Sequence, residues 1–71
     1  MTLFTDLSGE RVIRALKKAG FWIAKDGGKH TGMSNGTRKV TIPRHPRINP
    51  YTLKSIIRSA GLTDEEFKEL L

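Results

Sequence analysis

The chain has no cysteine. Disulfides, thiol nucleophiles and cysteine-ligated zinc are thereby excluded, and an apolar core must carry the stability alone. No apolar run is long enough to span a membrane, and no polar low-complexity tract would keep part of the chain unfolded. The opening "MTLFTDLSGE" has neither a basic n-region nor an apolar h-region, so it does not read as a secretory signal. The expectation is a soluble cytoplasmic protein with no membrane association. Carboxylates and histidines with ligand spacing are also missing: Asp6, Glu10 and Asp26 are scattered, and the other acids share one C-terminal segment. No metal and no cofactor is therefore expected. A P-loop and a serine-histidine-carboxylate set are absent as well, which argues against a nucleotide hydrolase or a protease.

Acidic residues are scarce and unevenly placed. The 71 residues hold thirteen Lys and Arg against seven Asp and Glu, a net charge of +6. Asp64, Glu65, Glu66 and Glu69 all lie beyond residue 63, which leaves twelve basic residues against three acids over 1–63. A cationic surface at this density favours a polyanion such as nucleic acid, through phosphate neutralisation and counterion release, over charge kept only for solubility. The length allows one domain, residues 1–71, with little room for a deep pocket, since a unit this small buries roughly 60% of the surface of its unfolded chain.

Ser8 is a suitable N-cap and Gly20 a suitable C′ residue. Between them Val12, Ile13, Leu16 and Ala19 share one side of a helix over 9–19. "FWIAK", "KHTGMS" and "TRKVTIP" follow as three strands, separated by "DGG" and "NG". Asn49 and Pro50 supply an N-cap and an N1 proline for a second helix, along which Leu53, Ile56, Ile57 and Ala60 form the apolar stripe before Gly61 ends it. Thr63 and Glu66 fit a capping box for a short last helix that turns Phe67, Leu70 and Leu71 toward the core. The predicted fold is α+β, a two-layer sandwich in which both main helices cover one face of a three-stranded antiparallel sheet.

A two-residue type I′ turn at Asn35-Gly36 would set Met33 opposite Arg38, Thr31 opposite Val40 and His30 opposite Thr41. A three-residue loop over 26–28 would set Phe21 opposite Met33, Ile23 opposite Thr31 and Ala24 opposite His30. Both registers put Phe21, Ile23, Thr31, Met33, Val40 and Ile42 toward the helices. Trp22, Ala24, His30, Gly32, Lys39 and Thr41 then lie on the open face. A bulge in the first loop would exchange Phe21 with Trp22. His30 is on this reading no core histidine; it is either a silent surface residue or a catalytic group.

The string "SGERVIRALKKAGFWIAKDGGKH…RKVTIPRH…NPYTLKSIIRSAGL", residues 8–62, resembles the HicA family of small toxins, the mRNA interferases of bacterial toxin-antitoxin pairs. The features that carry it are the first helix ending in "KAGF", the Gly28-Lys29-His30 triplet, the strand end Val40–His45 and the helix "TLKSIIRSAGL". Many members read "GSHH", where this chain has Lys29 for the serine and Thr31 for the second histidine. The resemblance implies a fold like that of a double-stranded RNA-binding domain, His30 in the place of the catalytic histidine, and a HicB-type antitoxin as the partner that covers the active site.

RNA carries its own nucleophile, the 2′-OH beside each phosphate, so a metal-independent ribonuclease needs only proton transfer and positive charge. Histidine suits the first need because an ordinary imidazole titrates at about pH 6.5. The expected reaction leaves a 2′,3′-cyclic phosphate and a 5′-hydroxyl, with Lys29 and Lys39 on phosphate. His45 is either a second proton-transfer group or, with Arg44 and Arg47, part of a phosphate-gripping loop beside the N-terminus of the second helix. Trp22 is a base-stacking platform, a half-buried hydrophobe or an anchor for the antitoxin. Lys54 and Arg58 share one helix face, either reaching phosphates or simply solvated. The readings that compete with an endoribonuclease are a non-catalytic RNA-binding module of the same fold and a protein whose basic face meets an acidic partner.

Overall fold

The computed structural model describes residues 4–71, so Met1, Thr2 and Leu3 of the opening segment lie outside the described residues. Helix α1 runs over Gly9–Lys18, started by Ser8, whose hydroxyl accepts the Arg11 N–H at 3.2 Å. It ends one residue short of the predicted 9–19, with Ala19 as cap. Val12, Ile13, Ala15 and Leu16 are buried while Arg11, Arg14, Lys17 and Lys18 are exposed, as the 3.6-residue period requires. The first residue of α1 lies against the chain after the third strand: the Gly9 N–H donates to the His45 carbonyl at 2.9 Å, and a Cβ at position 9 would overlap the Pro43 carbonyl oxygen.

Strands β1 (Trp22–Asp26), β2 (His30–Ser34) and β3 (Lys39–Pro43) form an antiparallel meander in that order. Helix α2 spans Pro50–Ser59 behind its Asn49 cap and proline at N1. Helix α3 spans Asp64–Leu70 and begins with the capping box of Thr63 and Glu66. The helices and the inner sheet face enclose a core of Leu7, Val12, Ile13, Leu16, Phe21, Met33, Val40, Ile42, Ile48, Leu53, Ile56, Ile57 and Phe67. Phe67 is fully buried, with its ring edge-on to Phe4 at 5.3 Å between centroids. The acidic helix thus presents its charges to water while placing one of the largest side chains of the core.

Both hairpin registers differ from the expectation. Met33 pairs with Val40, Thr31 with Ile42 and His30 with Pro43, a shift of two residues. The cause is Asn35, whose side-chain oxygen accepts the N–H groups of Thr37 at 2.9 Å and Arg38 at 2.7 Å, closing a four-residue loop over 35–38. A type I′ turn needs positive φ at both central residues; Gly36 has it at 94°, Asn35 does not. Because a strand's faces alternate with period two, a shift of two leaves each side chain on its predicted face.

The first loop occupies Gly27–Lys29 rather than 26–28, and a bulge interrupts the ladder between Ile23 and Lys25. Before the bulge Trp22 pairs with Ser34 and Ile23 with Met33; after it Lys25 pairs with Gly32 and Asp26 with Thr31. The loop displacement and the bulge compensate at the start of β1. Phe21 therefore stays in the core at 4% exposure and Trp22 outside it at 52%. Ala24, expected beside His30, is taken up by the bulge, and Ile23 is only partly covered at 38% exposure because β1 is an edge strand.

Candidate functional site

The sheet face away from the helices is a strip of three cross-strand rows. Its first row is His30 with Pro43, its middle row Lys25, Gly32 and Thr41, and its third Trp22, Ser34 and Lys39. Gly32 leaves the centre without a side chain, and the nearest atom to a Cβ built there is the Cβ of Lys25 at 3.6 Å. Trp22 reaches the second loop, its Cη2 lying 3.5 Å from where a Gly36 Cβ would stand.

His30 opens β2 and is exposed. The preceding turn is held by Asp26, whose Oδ1 accepts the Gly28 N–H at 3.3 Å, and by the Gly27 N–H, which donates to the His30 carbonyl at 2.9 Å. Gly28 adopts φ +84, which a side chain would resist. Lys29, the last loop residue, is exposed immediately before His30, and its carbonyl accepts the Arg44 N–H at 2.8 Å.

The corrected register changes which cations stand near the imidazole. Lys39 falls four residues along β3 from Pro43, the partner of His30, which is about 13 Å at strand rise. The predicted register had placed it half that far away. Lys25 comes into the adjacent row instead, on the open face because the bulge inverts the alternation after Ala24. Sequence reasoning missed Lys25, and its only signal was the combined length of loop and bulge.

The expected grouping of Arg44, His45 and Arg47 beside α2 is not assembled. Arg44 donates from Nε to the buried Thr31 hydroxyl at 2.8 Å and lies 3.7 Å from Asp26 Oδ2 through Nη2. Arg47 pairs with Asp6 at 2.9 Å, an exposed contact. The N-terminal N–H groups of α2 are met by Asn49, whose Oδ1 accepts from Tyr51 and Thr52. His45 turns toward α1, where it lines a shallow cleft of about 280 Å³ with Ser8, Glu10, Arg44 and Pro46. Lys54 is half-buried and Arg58 exposed on α2, and Arg38 lies across the end of α2 with Nη1 3.5 Å from the Ser59 carbonyl. Among the described residues, no three His, Asp or Glu side chains are grouped to hold a metal ion, and no helix is long and apolar enough to cross a membrane.

The arrangement offers one exposed imidazole with Lys29 before it, then a middle row of Lys25 and Thr41 around a bare Gly32, then an indole with Lys39. It suits an extended polyanion with unpaired rings better than a small molecule. No curated protein matches the sequence. Residues 9–62 match the family described as the HicA toxin of bacterial toxin-antitoxin pairs, a stretch that runs from the start of α1 past the end of α2 and includes every row of the open face. With the match covering most of its length, the chain belongs to the HicA toxin family.

Proposed function

We propose that this toxin is a metal-independent endoribonuclease that cleaves mRNA with His30 as its general acid/base and is neutralised by a HicB-type antitoxin seated on the open sheet face. The observation that carries the reading is the exposed His30 at one end of a cationic strip that the helices leave uncovered. As base, the imidazole takes the proton of a 2′-OH while that oxygen attacks the adjacent phosphorus. The bond from phosphorus to the 5′-oxygen breaks, water protonates the departing oxygen, and the hydroxide left behind takes the proton from the imidazolium, so that His30 is restored and the products are a 2′,3′-cyclic phosphate and a 5′-hydroxyl.

Lys29 and Lys25 stand in the loop and the row next to His30 and supply positive charge for the phosphorane. Lys39 holds a phosphate farther along the strand, and Trp22 stacks on an unpaired base. His45 contributes to binding from the α1 cleft, while Arg44 and Arg47 reach phosphate only by giving up Asp26 and Asp6. Exposed Trp22, at the far end of the open face from His30, and Ile23 beside it on the edge strand give an antitoxin apolar surface, and the protein acts in the cytoplasm, where mRNA is available.

The test is cleavage of a mixed-sequence single-stranded RNA in EDTA by the parent and by His30→Ala, both checked for fold and RNA affinity. Cleavage by the parent alone, leaving 5′-hydroxyl ends, is the expected result. Equal cleavage by both removes His30 from the chemistry, and RNA bound without cleavage by either leaves a binding module. His45→Ala weakens binding more than the single-turnover rate; a loss of rate as large as that of His30→Ala would make His45 a second proton-transfer group.

A further inference from the structure

Arg44 touches the chain on both sides of His30 without lying on the same sheet face. Its backbone N–H donates to the carbonyl of Lys29, the residue before His30, at 2.8 Å. Its Nε donates to the hydroxyl of Thr31, the residue after, at 2.8 Å. Its Nη2 lies 3.7 Å from Asp26 Oδ2, and the other oxygen of that carboxylate accepts the Gly28 N–H in the turn that delivers His30. Thr31 is fully buried, so its hydroxyl needs an internal partner, and the Arg44 Nε supplies it.

We infer that Arg44 is a positioning residue for His30, clamping the Asp26–Thr31 segment so that the imidazole is held in place against a substrate on the open face. This rests on the endoribonuclease reading above. A guanidinium suits the task because its planar fork reaches a hydroxyl and a carboxylate at once, which an ammonium on a flexible stem does not. The side chain is about one-third exposed, so the pairing with Asp26 is worth little as a surface ion pair alone. Its effect is geometric: a reacting group displaced by about 1 Å loses up to a hundredfold in rate.

The test uses the full chain carrying Arg44→Ala, Arg44→Lys or Asp26→Asn. It reads the single-turnover cleavage rate at saturating RNA, the Kd and salt slope for an RNA with 2′-deoxy sugars, and amide hydrogen exchange at Gly27 and Gly28. Positioning predicts that Arg44→Ala and Arg44→Lys both lose at least about tenfold in rate with the Kd and salt slope kept. It also predicts faster exchange at the two glycines and a smaller loss of the same kind in Asp26→Asn. A direct phosphate contact predicts the reverse: full rate at saturation, a weaker Kd and a salt slope reduced by about 0.7 in Arg44→Ala, with rescue by Arg44→Lys. That pattern, or unchanged glycine exchange in Arg44→Ala, overturns the inference. The exchange readout needs no cleavage, so a parent that fails to cut RNA defeats the endoribonuclease reading while the clamp itself is still judged.

Discussion

Replacing Gly9 by alanine sets two effects of opposite sign against each other. Alanine is the better helix former by up to about 1 kcal/mol, and less at the first position of a helix than in its interior. The new Cβ, however, would overlap the Pro43 carbonyl oxygen and stand 3.1 Å from the Arg44 Cα, both backbone atoms with no rotamer to turn aside. Relief requires α1 to lift from the end of β3, which stretches the bond from the Gly9 N–H to the His45 carbonyl. Overpacking of this kind costs about 1–3 kcal/mol and the hydrogen bond about 1 kcal/mol more, so the clash wins by about 2 kcal/mol. For a domain of this size that is a fall in Tm of about 8–16 °C. Thermal unfolding followed by circular dichroism measures it, with Gly32→Ala as control: that Cβ would meet Lys25 at 3.6 Å, an ordinary contact, and the Tm should hold or rise slightly. A Gly9→Ala protein as stable as the parent would refute the argument that the start of α1 is set by contact with Pro43.

Three further outcomes are expected. Phe67→Ala removes a fully buried ring and costs about 3–5 kcal/mol, comparable to the whole stability of so small a domain, so urea titration should find it largely unfolded. Trp22→Ala leaves the urea midpoint unchanged but weakens binding to single-stranded RNA about 5- to 150-fold in fluorescence anisotropy, the range that corresponds to losing one stacked base. Lys39→Ala lowers the slope of log affinity against log salt by about 0.7 while the single-turnover rate at saturation persists, because its row is remote from His30.

The helices were legible because their signals are local. Ser8, Asn49-Pro50 and the Thr63/Glu66 box each start a helix where the structure has one, and the stripes at Val12–Leu16 and Leu53–Ile57 face the core. The sheet faces were legible for a different reason: alternation survives any shift by an even number of residues, so Thr31 and Met33 stayed inside and His30 outside although both registers moved. Register itself was not legible, since it turned on one Asn35 side chain competing with the backbone and on a bulge that leaves no mark in composition. Those two details decide that Lys25, not Lys39, stands near His30. The partners of Arg44 were equally hidden, because Asp26 and Thr31 lie far from it in the chain and meet it only once the sheet is formed.

A three-stranded meander has two open edges, and each invites the strand of another molecule. Here the edges carry their own deterrents: Lys25 and the bulge on β1, Lys39 and the N–H-less Pro43 on β3. The lysines that the proposed reading assigns to phosphate therefore also guard the sheet edges. Variants stripped of them to test RNA binding would lose that protection as well, so edge-to-edge aggregation is the failure to expect of them.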